Sequence, residues 1–219
     1  MTFVLVVGFG IAIVILAAVL RFYRLDVSPF GTWRDEADIS MAAEHILNDP
    51  TFRPIFVPNN IHPMHLYALV AFVFSWIGVS TFGIRSVTAF LGIGTVVIAF
   101  YTGRELYGNR FGLIFAFLFA VSRWHITFSQ FGIPGITAPF FEMLILWLWL
   151  RAERTRHIHD FAWAGMALGY GLNFYTAFRL FAVVMAALVL RRAIEWWRTT
   201  LRQPTHGTAL AVHLSAFAI

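Results

Sequence analysis

Residues 2–20 read TFVLVVGFGIAIVILAAVL and contain no charged side chain. At about 1.5 Å of rise per residue, a helix of this length crosses a hydrocarbon core of about 30 Å. The stretch lacks the basic flank and the shorter apolar core of a cleavable signal, so it reads as an uncleaved anchor. Working outward, further apolar runs recur at Met64–Phe82, Val87–Gly103, Phe111–Phe128, Ile133–Leu150, Phe161–Phe178 and Leu180–Leu190. None alternates apolar with polar residues as a barrel strand would. The pattern predicts an all-α, polytopic transmembrane helical bundle of about seven spans. Gly207–Ile219 reads as the incomplete final span, a partial eighth, and residues 1–219 as a single membrane domain.

Composition agrees: 59% of residues are hydrophobic and 12% charged, outside the range of soluble domains and expected of an integral membrane protein. The absence of cysteine excludes disulfides, a thiol nucleophile and Cys-ligated metal. The net charge of +5 comes largely from arginines in short loops, which the topogenic bias of membrane proteins explains, so no nucleic-acid partner is inferred.

Between the first two apolar runs lies a polar segment, residues 21–63, the only place where several ionisable groups gather at a membrane surface. Within it Ile39, Ala42, Ala43, Ile46 and Leu47 recur at helical spacing, with Asp38, Ser40, Glu44 and His45 on other faces. This predicts an interfacial amphipathic helix near lipid headgroups, capped by Asp35 and ended by Asn48-Asp49-Pro50. Adjacent carboxylates such as Asp35 and Glu36 ordinarily favour the positive end of a helix dipole. At this depth, beside headgroup phosphates, an aspartate is also placed to deprotonate an acceptor hydroxyl or amine. His62 and His65 stand at i, i+3 where the second run begins, either as plain interfacial imidazoles or, for His62, as a phosphate contact with Pro63 setting the entry angle. Two histidines with Asp35 do not form a specific metal signature, and no metal ligand is assigned.

Elsewhere, Glu142 inside an apolar run calls for a partner, for which Arg123 is a candidate. Gly165 and Gly169 suggest close helix packing, and His125 and His213 read as hydrogen-bonded histidines rather than pigment or haem ligands. The arginine-rich loops 104–110, 151–159 and 191–202 fall on one side, the cytoplasmic one by the charge rule. Counting back through two spans puts residues 21–63 on that same side. An extracytoplasmic position for them requires either a span count off by one or a misleading charge rule.

Several pieces occur in an order that resembles the amino-terminal half of the GT-C glycosyltransferases, in the branch of protein O-mannosyltransferases and lipid A aminoarabinose transferases. They are Arg21-Phe22-Tyr23-Arg24-Leu25-Asp26, Trp33-Arg34-Asp35-Glu36, Ile61-His62-Pro63, Phe82-Gly83-Ile84-Arg85, Gly103-Arg104-Glu105-Leu106-Tyr107-Gly108 and Phe128-Ser129-Gln130-Phe131-Gly132. Together they cover roughly residues 15–150. The resemblance implies that Asp35 is the catalytic or acceptor-positioning carboxylate, supported by Glu36, and that His62 lies near the donor phosphate; Arg34 and His65 are further candidates for binding phosphate. It implies inverting transfer from a polyprenyl-phosphate sugar as donor substrate, outside the cytoplasm of a bacterial inner membrane. A divalent metal cofactor stays open. The partners implied are the lipid-linked donor, membrane lipids and other membrane subunits. Two departures stand out: His62-Pro63-Met64 where the family often has His-Pro-Pro, and Gln130 where it often has Arg. Members of the family also run longer, so a second reading is a non-catalytic GT-C-like scaffold subunit of a larger complex.

Overall fold

The computed structural model describes residues 2–52 and 64–202. Expectations for His62 and Pro63, and for Gly207–Ile219 with His213, lie outside the described residues. Among those described there is no strand. The helices are α1 (Phe3–Phe22), α2 (Arg34–Asn48), α3 (His65–Ile77), α4 (Thr81–Tyr107), α5 (Asn109–Val121), α6 (Arg123–Gln130), α7 (Thr137–Thr155), α8 (Ile158–Gly171) and α9 (Arg179–Arg202).

α4 runs the height of the bundle, and its two ends define the two ends of the molecule. Near its start Arg85 meets Glu36 of α2; near its end Glu105 meets Arg154 of α7. Thr102 donates to the Met143 carbonyl and Tyr101 packs on Trp147, so α7 lies parallel to α4. The chain returns between them through α5 and α6, which bend by 56° at Ser122. α1 runs antiparallel to α4, its Arg21 touching Ser129 of α6 beside Gly92. The main apolar core lies among α2, α3, α4, α7, α8 and α9, built on residues such as Ile39, Tyr67, Phe141, Ile145 and Phe178.

α3 corrects the expected topology. Its 13 residues span about 20 Å, short of a core of about 30 Å. Both of its ends stay at one end of the bundle: His65 packs on Tyr170 and Phe174, which adjoin Phe141 in the first turns of α7, while Phe74 abuts Gly83 in the first turn of α4. α3 therefore belongs to the connection between α1 and α4, and the run Met64–Phe82 is not a span. With one crossing fewer, residues 23–52 lie opposite the arginine-rich loops. The charge rule and an extracytoplasmic polar segment then agree.

Three helices, α1, α4 and the segment Pro134–Thr155 that contains α7, are long and apolar enough to cross a membrane, and the bent pair α5–α6 makes a fourth. The seven expected spans are not shown among the described residues. The run Phe161–Phe178 breaks after Gly171, and α9 carries several charges.

α2 forms as the apolar period requires, burying Ile39, Ala43 and Ile46 and ending at Asn48. Its cap differs from expectation. Trp33 occupies the N-cap, and Glu36, three residues on, reaches back to accept from the Trp33 N–H at 2.9 Å, so Asp35 stands in the first turn and does not cap it. Glu142 and Arg123 form no ion pair, and the close glycine contact is Gly103 on Gly112 between α4 and α5, whereas Gly169 faces open space.

Candidate functional site

The polar end of the bundle is organised by one buried pair. Arg85 and Glu36 are each fully buried, and Arg85 donates from Nε to Oε1 at 2.8 Å and from Nη2 to Oε2 at 3.0 Å. Such a bidentate, charge-assisted geometry is the strongest available to these side chains. The remaining guanidinium hydrogens go to the carbonyls of Leu25 (3.2 Å), Pro29 (2.9 Å) and Gly31 (2.7 Å). All the donors of the fork are thereby used. Gly31, at φ +78, holds a backbone conformation that other residues rarely adopt, so the loop can fold its carbonyls onto Arg85.

Glu36 is equally committed. Besides Arg85, Oε1 accepts from the Gly132 N–H at 2.8 Å and Oε2 from the Trp33 N–H at 2.9 Å, filling its lone-pair sites. Burial alone would raise its pKa. The hydrogen bonds from Arg85, Gly132 and Trp33, with the charge of Arg85, outweigh that and hold the carboxyl below its ordinary value. A side chain at Gly132 would collide with Ile84 and crowd Glu36 Oε1, so the loop after α6 approaches only because that residue is glycine. Glu36 therefore has no lone pair left for a ligand or a transferred proton. It joins the 25–33 loop, α2, α4 and the α6 loop in one rigid unit.

Asp35 is presented by that unit. It is exposed in the first turn of α2 and makes no hydrogen bond or ion pair among the described residues; Arg34 beside it is exposed too. Burial first, and then the nearby charges of Asp38 and Asp35, push the hydroxyl of Tyr67 on α3 up to about 12. The Tyr67 hydroxyl is buried and has no hydrogen-bond partner among the described residues. The periodicity of α2 singled out neither Asp38 nor Tyr67 as site residues. Their proximity comes from the packing of α2 on α3.

His65 is not brought to this cluster. Two positions from Tyr67 on α3, it faces another way, against Tyr170 (5.1 Å between ring centres) and Phe174 (5.5 Å), with Nδ1 buried and without a partner among the described residues. Among the described residues no three His, Asp or Glu side chains converge as a metal site.

Deeper in the bundle, Arg21 is fully buried with no carboxylate beside it. Its Nη1 donates to the carbonyls of Ala17 (3.0 Å) and Ala120 (3.3 Å), and its Nη2 to that of Phe119 (3.2 Å) and to His125 Nδ1 (2.7 Å). The carbonyls of Phe119 and Ala120 are those the bend at Ser122 deprives of helix partners. Gln130 donates to the Leu20 carbonyl at 3.0 Å, tying α6 to the end of α1. The pieces that carry the GT-C resemblance thus hold one another: Arg21 with Ser129, Gln130 with Leu20, Arg85 with Glu36, and Glu36 with Gly132.

No curated protein matches this chain. A family model described as dolichyl-phosphate-mannose-protein mannosyltransferase matches residues 61–219, which include His62, His65 and Arg85 and leave Arg34, Asp35 and Glu36 before the matched region. The match covers most of the chain and agrees with its helical, membrane-spanning architecture: the protein belongs to the dolichyl-phosphate-mannose-protein mannosyltransferase family of GT-C glycosyltransferases.

Proposed function

We propose that the chain is the membrane module of an inverting glycosyltransferase that moves a sugar from a polyprenyl-phosphate donor to an acceptor at the extracytoplasmic face of a bacterial inner membrane. The observation that carries this reading is the contrast between neighbours: Glu36 is saturated by Arg85 and two backbone amides, while Asp35 is exposed and has no partner among the described residues. A rigid mount beneath a free carboxylate is what a general base requires. In this scheme Asp35 takes the proton of an acceptor hydroxyl or amine as that atom attacks the anomeric carbon. The bond from that carbon to the phosphate oxygen breaks, and polyprenyl phosphate leaves. Glu36 is a positioning residue for Asp35. Arg34 supplies positive charge at the same turn, and His62 is assigned to the phosphate side, whereas His65, packed on Tyr170 and Phe174, takes no part.

The test is Asp35→Asn in a transfer assay with polyprenyl-phosphate sugar. Loss of a general base lowers rate by about 10² to 10⁴-fold. Because the side chain is exposed and unpaired, thermal stability should not change. Transfer that survives Asp35→Asn at the wild-type rate overturns the assignment. One observation favours a non-catalytic scaffold subunit: Gln130, where the family often has arginine, is spent on the Leu20 carbonyl and adds no charge for the donor. No transfer by the wild-type chain, with recovery only among other membrane subunits, would support that reading.

A further inference from the structure

The end of the bundle opposite Asp35 carries a different feature. α1 is open along one face: Phe3, Val7, Ile11 and Ile15 are exposed, and a Cβ added at Gly8 or Gly10 would meet nothing within 4 Å. It leaves an apolar groove on each side. One, of about 530 Å³, runs between α1 and α4 from Phe3 to Ile15, with Tyr101, Arg104 and Asn109 among its lining. The other, of about 540 Å³, runs between α1 and α5 along Phe9 to Leu16, with Arg110 its sole charged lining residue.

The two arginines differ from most of those at this end, Arg198 being the other described one for which no ion pair is seen. At this end Arg151 pairs with Asp160, Arg154 with Glu105, Arg191 with Glu195, and Arg156 and Arg192 with Glu153. Arg104 lies over the Tyr101 ring at 5.2 Å, and neither it nor Arg110 has a carboxylate partner among the described residues. Each groove thus offers an apolar trough beside an unneutralised cation.

We propose that these grooves bind an anionic glycerophospholipid, its acyl chains lying along α1 and its phosphate held at Arg104 and Arg110. Length fits: Phe3 to Ile15 is about 18 Å of helix, close to half a hydrocarbon core of about 30 Å. The sign fits too, since the arginine-rich end faces the leaflet where anionic headgroups attract basic side chains.

The purified full chain in neutral detergent is mixed with phosphatidylglycerol or with phosphatidylcholine of the same acyl chains, and bound lipid is read by native mass spectrometry. Phosphatidylglycerol should be retained preferentially. The double variant Arg104→Gln, Arg110→Gln should lose that preference by about 25-fold, two surface arginine–headgroup attractions. Arg123→Gln, the same charge change at the other end, should keep it. Gly10→Leu, whose Cβ meets nothing within 4 Å and whose side chain narrows the first groove, should lower retention of both lipids. Equal retention of the two lipids, or a preference unchanged in the Arg104→Gln, Arg110→Gln variant, overturns the proposal. So does a lipid-free dimer that Gly10→Leu dissociates, which would make a second copy the occupant.

Discussion

Asp35 and Glu36 are adjacent in the chain and opposite in circumstance, because one turn of α2 sends Glu36 into the bundle and leaves Asp35 outside it. Removing one member of a buried ion pair strands the other, at about 3–5 kcal/mol. Glu36→Gln and Arg85→Met should each lower stability by about that amount in denaturant unfolding, with the double variant well short of the sum. The pH dependence has a definite sign. The folded-state pKa of Glu36 is depressed, so its stabilisation is complete above the unfolded value of about 4.3 and is lost as pH falls through the lower folded value. Glu36→Gln should flatten the acid limb of the stability profile in that window; an acid limb identical to wild type would show that the pair contributes nothing there. The sequence marked the two carboxylates as a pair of interest. It could not say which was free, because that depends on Arg85, 49 residues further on, and on the Gly132 amide.

At the scale of helices, α2 was legible nearly to the residue, since its apolar stripe and its end signals are local. The glycine contact was not. Gly165 and Gly169 have the spacing of a packing motif, yet the close approach is at Gly103 and Gly112, where a Cβ on Gly112 would lie 2.6 Å from the Phe100 carbonyl oxygen. Gly112→Leu should therefore force α4 and α5 apart at about 1–3 kcal/mol or more. Gly169→Ala, which meets nothing within 4 Å, should be neutral or gain about 0.5–1 kcal/mol from helix propensity. Thermal unfolding of both in one detergent checks the contrast, and equal destabilisation would refute the assigned contact.

For the molecule as a whole, α3 decides which face is which. Because the chain has no cysteine, single-cysteine variants report sidedness cleanly. Thr51→Cys and Val79→Cys should react with a membrane-impermeant maleimide from one face of the membrane and His159→Cys from the other. If Thr51→Cys and Val79→Cys label from opposite faces, α3 crosses the bilayer and its place in the connection between α1 and α4 is refuted. The sequence by itself determined that this is a helical membrane protein, that an amphipathic helix follows the first anchor, and that its motifs resemble GT-C transferases. Hydropathy and helical period are properties of neighbouring residues and need no partner. Only the tertiary structure decided that an apolar run such as Met64–Phe82 turns back instead of crossing, that Glu36 is a clamp and Asp35 the free carboxylate, and that Tyr67 and Asp38 stand beside it. Those outcomes depend on which distant groups saturate each side chain's hydrogen bonds, and a residue's own neighbours in the chain do not carry that information.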